Sequence, residues 1–224
     1  MIERRMPAGS QGIGMTSKGT RARLVDRLRD KGIKDERVLT VMLNTPRHEF
    51  VDEALSSRAY EDTALPIGQS QTISQPWIVA RMTEALLAGG TPGKVLEVGT
   101  GSGYQAAVLA QLVKDVFTVE RIKELLRPAR QLFHKLRLHN IHAKHADGHI
   151  GWPSQAPFDA IIITAAGRMI PPDLVAQLAP GGRLIMPLEE KGEQRLIMLQ
   201  RTEEGEEVQD LGGVVFVPML GGLA

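Results

Sequence analysis

The segment that most constrains the fold is a short apolar run that ends in alternating glycines. Residues 94–104 read Lys-Val-Leu-Glu-Val-Gly-Thr-Gly-Ser-Gly-Tyr, and an apolar helical pattern starts directly afterwards at Ala106, Val108 and Leu109. This order predicts a buried parallel strand, a tight turn and the N-terminus of a helix. Because glycines leave the backbone bare, a ligand can approach such a turn closely. The segment therefore predicts the binding site of a nucleotide-type cofactor.

Strand and helix patterns alternate through the remainder of the chain. This alternation predicts an α/β fold with a doubly wound, mostly parallel sheet, Rossmann-like, whose two faces are covered by helices. Two strands after the alternating region are expected to pair antiparallel at the sheet edge, joined by a charged turn over 202–207. The predicted strands are 94–98, 115–119, 141–146, 158–164, 183–187, 195–200 and 213–217, and the predicted helices between them are 102–113, 121–138 and 171–179.

The N-terminal part is predicted to be a helical extension. One helix is expected from Thr20 with its stop at Gly32, a second capped by Asp35 and ending before Pro46, and a short third over 47–55. Residues 59–73 are predicted to be a long irregular loop. Spacing alone favours Ser74 as the N-cap of the next helix, with Pro76 in its first turn.

These elements predict one domain with a short leader. The expected organisation is a disordered lead-in over 1–18 and a single domain over 19–224, divided into a helical extension with a substrate loop (19–90) and a cofactor-binding sheet (91–224).

Composition excludes several classes of function. The 27 Lys and Arg nearly balance the 26 Asp and Glu, for a net charge of +1, so charge gives no reason to expect nucleic-acid or membrane binding. The chain has no cysteine, which excludes disulfides, thiolate metal sites and a cysteine nucleophile. No apolar run has the length of a membrane span or the character of a secretory signal. We expect a soluble, cytoplasmic monomer.

Acidic residues at the ends of predicted strands support a nucleoside cofactor. Glu120 ends the second strand, where a carboxylate can accept both ribose hydroxyls. Asp147 and Gly148 end the third strand, where an adenine amino group can be bound, although Asp-Gly is also a common turn. Since the carboxyl ends of parallel strands share one edge of a sheet, these groups are expected to lie together.

The details of the glycine turn discriminate between cofactors. A dinucleotide motif requires a small residue where this chain has Tyr104, and no Gly-Lys-Ser/Thr of a triphosphate loop is present. A glycine-lined turn with Glu97 suits S-adenosylmethionine, which has no pyrophosphate. Glu97 is expected to order the turn or to bind the cofactor's ammonium through a water, and the alternative is a solvated strand end.

Several motifs resemble those of class I methyltransferases, and more narrowly those of protein-L-isoaspartate O-methyltransferases. The most specific is Gln69-Ser70-Gln71-Thr72-Ile73-Ser74-Gln75-Pro76. The resemblance covers nearly everything from Thr20 onward. The other matching segments are 46–51, 95–107, 120–121, 147–148, 158–161, 164–166, 178–182 and 216–218.

The resemblance implies methylation of the free carboxylate of L-isoaspartyl residues in damaged proteins and peptides. The methyl ester then cyclises to a succinimide without the enzyme. A carboxylate is already ionised and a sulfonium methyl is already activated, so alignment and exclusion of water suffice, and neither a general base nor a metal is required. Four histidines (His139, His142, His145 and His149) match no metal-ligand spacing, and no metal is predicted.

The resemblance also implies the site residues. Ser74 is expected to donate to the substrate carboxylate, a role that is compatible with helix capping. Val217 and Pro218, predicted to lie in the last strand, are expected to pair with an extended substrate, unless Pro218 only ends that strand. The implied cofactor-binding residues are Thr72, Ser74, Glu97, Gly99, Thr100, Gly101, Ser102, Glu120, Asp147, Gly148 and Thr164.

Three other functions are compatible with parts of the pattern. The main alternative is another class I methyltransferase that acts on a small-molecule carboxylate or on nucleic acid. Against it, residues 164–167 read Thr-Ala-Ala-Gly instead of the Asn/Asp-Pro-Pro-Tyr/Phe of amino-methylating enzymes. A nicotinamide-dependent oxidoreductase is disfavoured by Tyr104, and a non-enzymatic binding module by the complete set of cofactor motifs.

Overall fold

The computed structural model describes residues 14–224. The helices are α1 (Lys18–Asp30), α2 (Glu36–Asn44), α3 (Pro76–Leu87), α4 (Tyr104–Leu109), α5 (Lys123–Lys135) and α6 (Pro172–Val175). The strands are β1 (Leu65–Gly68), β2 (Gln71–Ile73), β3 (Lys94–Val98), β4 (Asp115–Glu120), β5 (Ile141–His145), β6 (Phe158–Ile163), β7 (Leu178–Glu190), β8 (Glu193–Arg201) and β9 (Glu206–Gly213). Short 3-10 helices occupy Gly14–Thr16, Arg47–Phe50, Glu53–Arg58 and Pro153–Gln155.

A seven-stranded sheet in the order β5-β4-β3-β6-β7-β8-β9 organises the fold. Strands β3 to β7 are joined by parallel pairings, and β7, β8 and β9 pair antiparallel. The predicted doubly wound, mostly parallel sheet with antiparallel C-terminal strands is therefore confirmed. Strand order reverses at β3, which lies between β4 and β6, and open α/β sheets bind ligands at such a switch point.

The apolar side chains of the sheet form two cores, one on each face. Successive residues of a strand point to opposite faces, so Val95 of β3 belongs to one core and Leu96 to the other. The N-terminal extension packs into the first core, to which Leu24, Leu39 and Val79 contribute. Both faces of β3 are thus dry, which explains why that strand reads as a continuous apolar run.

The structure corrects two expectations in the N-terminal part. The disordered lead-in is wrong for residues 14–18, because Gly14–Thr16 form a 3-10 helix and α1 begins at Lys18 with Ser17 as its N-cap; residues 1–13 lie outside the described part of the chain. The irregular loop over 59–73 is wrong for its second half, which forms the β1–β2 hairpin. Gln69 and Ser70 make its tight turn with φ of 52° and 56°.

The C-terminal strands differ in position from the prediction. The strand expected over 213–217 lies instead at Glu206–Gly213, and the turn expected over 202–207 is correspondingly shorter. β9 is an edge strand with mostly exposed polar residues, so it has no apolar alternation that reveals it. β7 begins at Leu178 rather than at 183, with a register shift between its pairs with Phe158 and Ala160.

Among the helices between residues 14 and 224, none is long and apolar enough to span a membrane.

Candidate active site

The glycine turn lies between β3 and α4, at the switch point of the sheet. Gly99 and Gly103 have φ of +96° and +88°, values that side-chain-bearing residues rarely adopt. A Cβ on Gly99 would lie 2.4 Å from Oγ1 of Thr164, and one on Gly103 would lie 2.5 Å from the Phe133 ring. Both glycines are therefore required by the backbone conformation and by the close packing of Thr164 and Phe133 against the turn.

A pocket opens above this turn, at the carboxyl ends of β3, β4 and β6. Most of the predicted site residues line it: Thr72, Ser74, Gly99, Thr100, Gly101, Ser102, Glu120, Gly148, Thr164, Val217 and Pro218. Apolar side chains that the sequence did not single out, such as Ile122 and Leu125, form part of its wall.

Glu120 is fixed across the turn by two backbone groups. The N–H of Gly101 donates to its Oε2 at 2.8 Å, and the N–H of Ile122 donates to its Oε1 at 2.9 Å. Its side chain is almost fully buried and lines the pocket. Each carboxylate oxygen can accept a further hydrogen bond, so the group is oriented to receive a pair of hydroxyls.

Glu97 does not reach the pocket lining. It is fully buried, so the alternative of a solvated strand end is wrong. The hydroxyl of Thr118 donates to Oε2 of Glu97 and lies 2.6 Å from the hydroxyl of Thr100, which is in the turn. Burial raises the pKa of Glu97 to about 8, so at neutral pH the side chain is mostly protonated. Glu97 thus contacts the turn indirectly, through a chain of hydroxyls.

Asp147 binds the C-terminal segment of the chain, by which we mean residues 217–224. Its Oδ2 accepts from the N–H of Gly222 at 2.6 Å, and its Oδ1 accepts from the N–H of His149 at 2.9 Å. Burial raises the pKa of Asp147, but these hydrogen bonds outweigh it and hold the pKa below its usual value. The carboxylate lies outside the pocket lining, whereas Gly148 lies within it.

Ser74 is not the N-cap of α3. That position belongs to Gln75, which makes no side-chain capping bond, and Pro76 occupies the first turn as expected. The first-turn N–H of Trp77 is satisfied by Oδ1 of Asp62 at 2.8 Å. Ser74 therefore lies one residue before the N-cap of α3, and it lines the pocket instead of capping the helix.

A second cavity, an open groove, adjoins the pocket. Its walls come from residues 62–64, from the start of α3 and from the segment 213–217 beside β8. Four residues line both cavities, namely Thr72, Ser74, Thr164 and Val217. The pocket and the groove thus meet at these four residues, which we call the junction.

Val217 and Pro218 are held by the chain that follows β6. The prediction that they lie in the last strand is wrong, since β9 ends at Gly213. The carbonyl of Val217 accepts from the N–H of Ala166 at 2.8 Å, and the N–H of Met219 donates to the carbonyl of Ala166 at 2.8 Å. This bridge places Val217 beside Thr164 at the junction.

The residues present fit an adenosyl cofactor. The turn offers bare backbone at Gly99 and Gly101, Glu120 offers a fixed acceptor, and Ile122 offers apolar surface. In the part of the chain that the structure describes, no three His, Cys, Asp or Glu side chains are grouped to hold a metal ion.

Comparison with known proteins identifies the family. The family model described as protein-L-isoaspartate(D-aspartate) O-methyltransferase matches residues 19–224. The chain belongs to this family. It is thus an S-adenosylmethionine-dependent carboxyl methyltransferase of class I fold that acts on L-isoaspartyl residues.

Relatives and solved structures agree with this assignment. A protein-L-isoaspartate O-methyltransferase of Halorhodospira halophila is 59% identical over 211 residues, which cover 94% of this chain and 96% of that protein. One of Cellvibrio japonicus is 57% identical over 217 residues, 96% of this chain and 97% of that protein. A solved protein-L-isoaspartate O-methyltransferase structure has a TM-score of 0.82 at 29% identity, and covers 91% of this chain and 67% of that one. A putative family member from Plasmodium falciparum, in complex with S-adenosyl-L-homocysteine, has a TM-score of 0.79 at 27% identity over 89% and 98% of the two chains.

Sequence reasoning missed three residues that line the pocket or the groove. Gln194 and the exposed Val215 line the groove, and Arg121 binds the C-terminal segment through the carbonyl of Gly222 at 3.0 Å. An isolated glutamine and a surface valine give no sequence signal. Arg121 stood next to Glu120 in a recognised pair, and that adjacency was the available clue.

Proposed function

We propose that the pocket above the glycine turn holds the adenosyl cofactor, that the groove holds the damaged peptide, and that methyl transfer occurs at the junction. The observation that carries this proposal is the sharing of Thr72, Ser74, Thr164 and Val217 by the two cavities. A donor in one cavity and an acceptor in the other can meet only where the cavities connect.

On the cofactor side, the chain's own groups orient the ligand. Glu120 accepts the ribose hydroxyls with its two remaining acceptor sites, and Gly99 and Gly101 present bare backbone. Thr72, Thr164 and Gly148 complete the wall. The bound cofactor supplies an electrophilic methyl group on a sulfonium. Glu97 acts through Thr118 and Thr100 rather than by contact, and Asp147 acts by holding the C-terminal segment.

On the substrate side, Ser74 donates its hydroxyl to the isoaspartyl carboxylate. The carboxylate needs no deprotonation near neutral pH, because its unperturbed pKa is about 4. The contribution of Ser74 is to orient one oxygen of the carboxylate toward the methyl group. This residue is the catalytic residue that we assign.

The segment 214–217 is proposed to pair with the substrate backbone. Val215 is 92% exposed at the groove, and within the described residues no backbone hydrogen bond joins it to another residue. An extended peptide can therefore add to this edge as a further strand. This binding mode recognises the main chain of the peptide more than its side chains, which suits an enzyme that must accept many damaged proteins.

We also propose the domain organisation, the location and the oligomeric state. Residues 19–224 are proposed to form one domain, since apolar residues of the extension and of the sheet share a core. A cytoplasmic location and the absence of nucleic-acid partners are proposed from the composition, and the chain is proposed to be a monomer. Gel filtration with light scattering tests the monomer.

A matched pair of peptides tests the function. The two differ only in whether one residue is aspartate or isoaspartate, and transfer of a radiolabelled methyl group is measured for each. We expect transfer to the isoaspartyl peptide alone. Equal transfer to both peptides, or to neither, would contradict the proposal, and transfer to a small carboxylic acid instead would favour the main alternative.

A further inference from the structure

The ladder between β8 and β9 ends just before the segment that borders the groove. Its last strand pair is Arg195 with Gly213, and the N–H of Val214 still donates to the carbonyl of Gln194 at 3.0 Å. β8 begins at Glu193, directly after its turn from β7. The segment from 215 onward therefore continues past the point where β8 pairs with it.

Beyond this point, the side chain of Gln194 supplies the hydrogen-bond partners that the backbone of β8 no longer provides. Its Oε1 accepts from the N–H of Phe216 at 2.6 Å, and its Nε2 donates to the carbonyl of Phe216 at 3.2 Å. A primary amide carries an acceptor and a donor side by side, as two backbone groups do across an antiparallel pair. The ladder is thus extended by one residue pair.

This contact determines which way Val215 faces. Val214 and Phe216 direct their backbone groups to Gln194, and their side chains pack against the first core. Neighbouring residues in an extended chain face opposite ways, so the N–H and C=O of Val215 face away from Gln194. The side chain of Val215 is exposed at the groove.

We propose that Gln194 is a positioning residue that holds residues 214–216 extended and so prepares the free edge at Val215 for the substrate backbone. This inference rests on the proposed function. Without the amide, residues 215 and 216 have no strand partner, and the substrate would have to order them as it binds. Ordering a segment during association weakens affinity, whereas a preformed edge avoids this cost.

Two substitutions at Gln194 test the inference. Gln194→Met keeps the length but removes both hydrogen bonds, and Gln194→Glu places an anion against the carbonyl of Phe216. The matched control is Gln209→Met, which alters an exposed glutamine of β9. The two Gln194 variants should raise KM for an isoaspartyl hexapeptide about tenfold, as expected for the loss of one to two hydrogen bonds, with kcat nearly unchanged. The affinity for S-adenosyl-L-homocysteine, measured by calorimetry, should stay within about twofold of wild type for all three variants.

Peptide backbone N-methylation gives a second readout that a purely structural role would not move. Hexapeptides N-methylated at one flanking position each are compared in wild type and Gln194→Met. The position that pairs with Val215 should raise KM in wild type and raise it much less in the variant, because coupled groups are not additive. An unchanged KM in the Gln194 variants, equal losses of cofactor affinity, or identical N-methylation penalties in both proteins would overturn the inference. Absence of methyl transfer in wild type would instead refute the proposed function.

Discussion

Ser74 stands at the junction, one residue before the N-cap of α3. Because Gln75 takes the capping position, the hydroxyl of Ser74 is not used by the helix, and within the described residues no hydrogen bond occupies it. Its loss should therefore affect chemistry more than stability.

We expect Ser74→Ala to lower turnover of an isoaspartyl peptide about 10- to 100-fold, the range for a hydrogen bond to a charged group. Affinity for S-adenosyl-L-homocysteine and the melting temperature should change little. The measurements are steady-state kinetics, calorimetry and thermal unfolding, with the exposed Ser154→Ala as control. A parallel fall in cofactor affinity and turnover would show that Ser74 shapes the pocket without a role in transfer.

Glu97 is predicted to make stability depend on pH. Its folded pKa of about 8 exceeds the ordinary glutamate pKa of 4.5, so between these values the folded chain keeps a proton that the unfolded chain has released. Folded-state protonation of this kind makes the free energy of unfolding fall as pH rises, by at most about 1.4 kcal/mol per pH unit. Glu97→Gln should remove this slope between pH 5 and 7.5 while keeping an acceptor for Thr118. Urea unfolding of both proteins across that range measures it, and parallel pH profiles would contradict the assigned protonation.

At the scale of elements, Asp62 joins three segments of the N-terminal part of the chain. It lies just before β1, its Oδ1 accepts from the N–H of Trp77 at the start of α3, and its Oδ2 lies 2.5 Å from Nζ of Lys31 after α1. Burial raises the pKa of Asp62, but the hydrogen bonds from Lys31 and Trp77 outweigh it and hold the pKa below its usual value. The carboxylate therefore fixes the start of α3, and with it the position of Ser74.

Asp62→Ala should lower the free energy of unfolding by about 1–2 kcal/mol, the usual effect of losing a capping carboxylate. Turnover should fall as well, because Ser74 loses its support. The neighbouring Glu61→Ala, which removes only an exposed ion pair with Arg58, should cost less than about 0.5 kcal/mol. Denaturant unfolding and peptide kinetics check both variants. Equal effects of the two substitutions would show that Asp62 is an ordinary surface carboxylate.

The elements that were predicted well from the sequence are those with a clear apolar pattern. β3 and β4 are buried on both faces and read as apolar runs. The β1–β2 hairpin was missed because Gln69-Ser70 is not a turn dipeptide that signals positive φ, unlike Asn-Gly. β9 was misplaced because its residues are polar and exposed, and its register slips at the bulge between Leu196 and Ile197.

Site residues, like the elements, could be predicted where the local sequence fixes their position and not where distant residues do. Glu120 was identifiable because it ends an apolar strand, and its position depends only on that strand. The N-cap predicted at Ser74 was wrong by one residue. Asp62, from a distant part of the chain, supplies the hydrogen bond at the start of the helix. Gln194 depends on where two strands stop pairing, which no local pattern encodes.

For the molecule as a whole, the C-terminal segment closes one side of the pocket above the glycine turn. Residues 217–220 line the pocket, and the segment is fastened beyond it by Asp147 and by Arg121, whose Nε donates to the carbonyl of Gly222 at 3.0 Å. The last residues therefore connect sheet, α5 and pocket, so loosening them should affect the cofactor first.

Arg121→Ala should weaken the binding of S-adenosyl-L-homocysteine several-fold and up to about tenfold, as expected for hydrogen bonds made by a charged group. The KM for the peptide, measured at saturating cofactor, should change much less. Calorimetry and kinetics are compared with those of Arg127→Ala, an exposed arginine on α5. A larger effect on the peptide than on the cofactor would contradict the closing role of the segment.

The most direct test of the central claim is a crystal structure of the chain with S-adenosyl-L-homocysteine and an isoaspartyl peptide. The account predicts the adenosyl group above Gly99–Ser102 with its ribose on Glu120, the peptide in the groove along Val215, and the isoaspartyl carboxylate between Ser74 and the sulfur. A carboxylate bound away from the junction of Thr72, Ser74, Thr164 and Val217, with the cofactor in place, would contradict it.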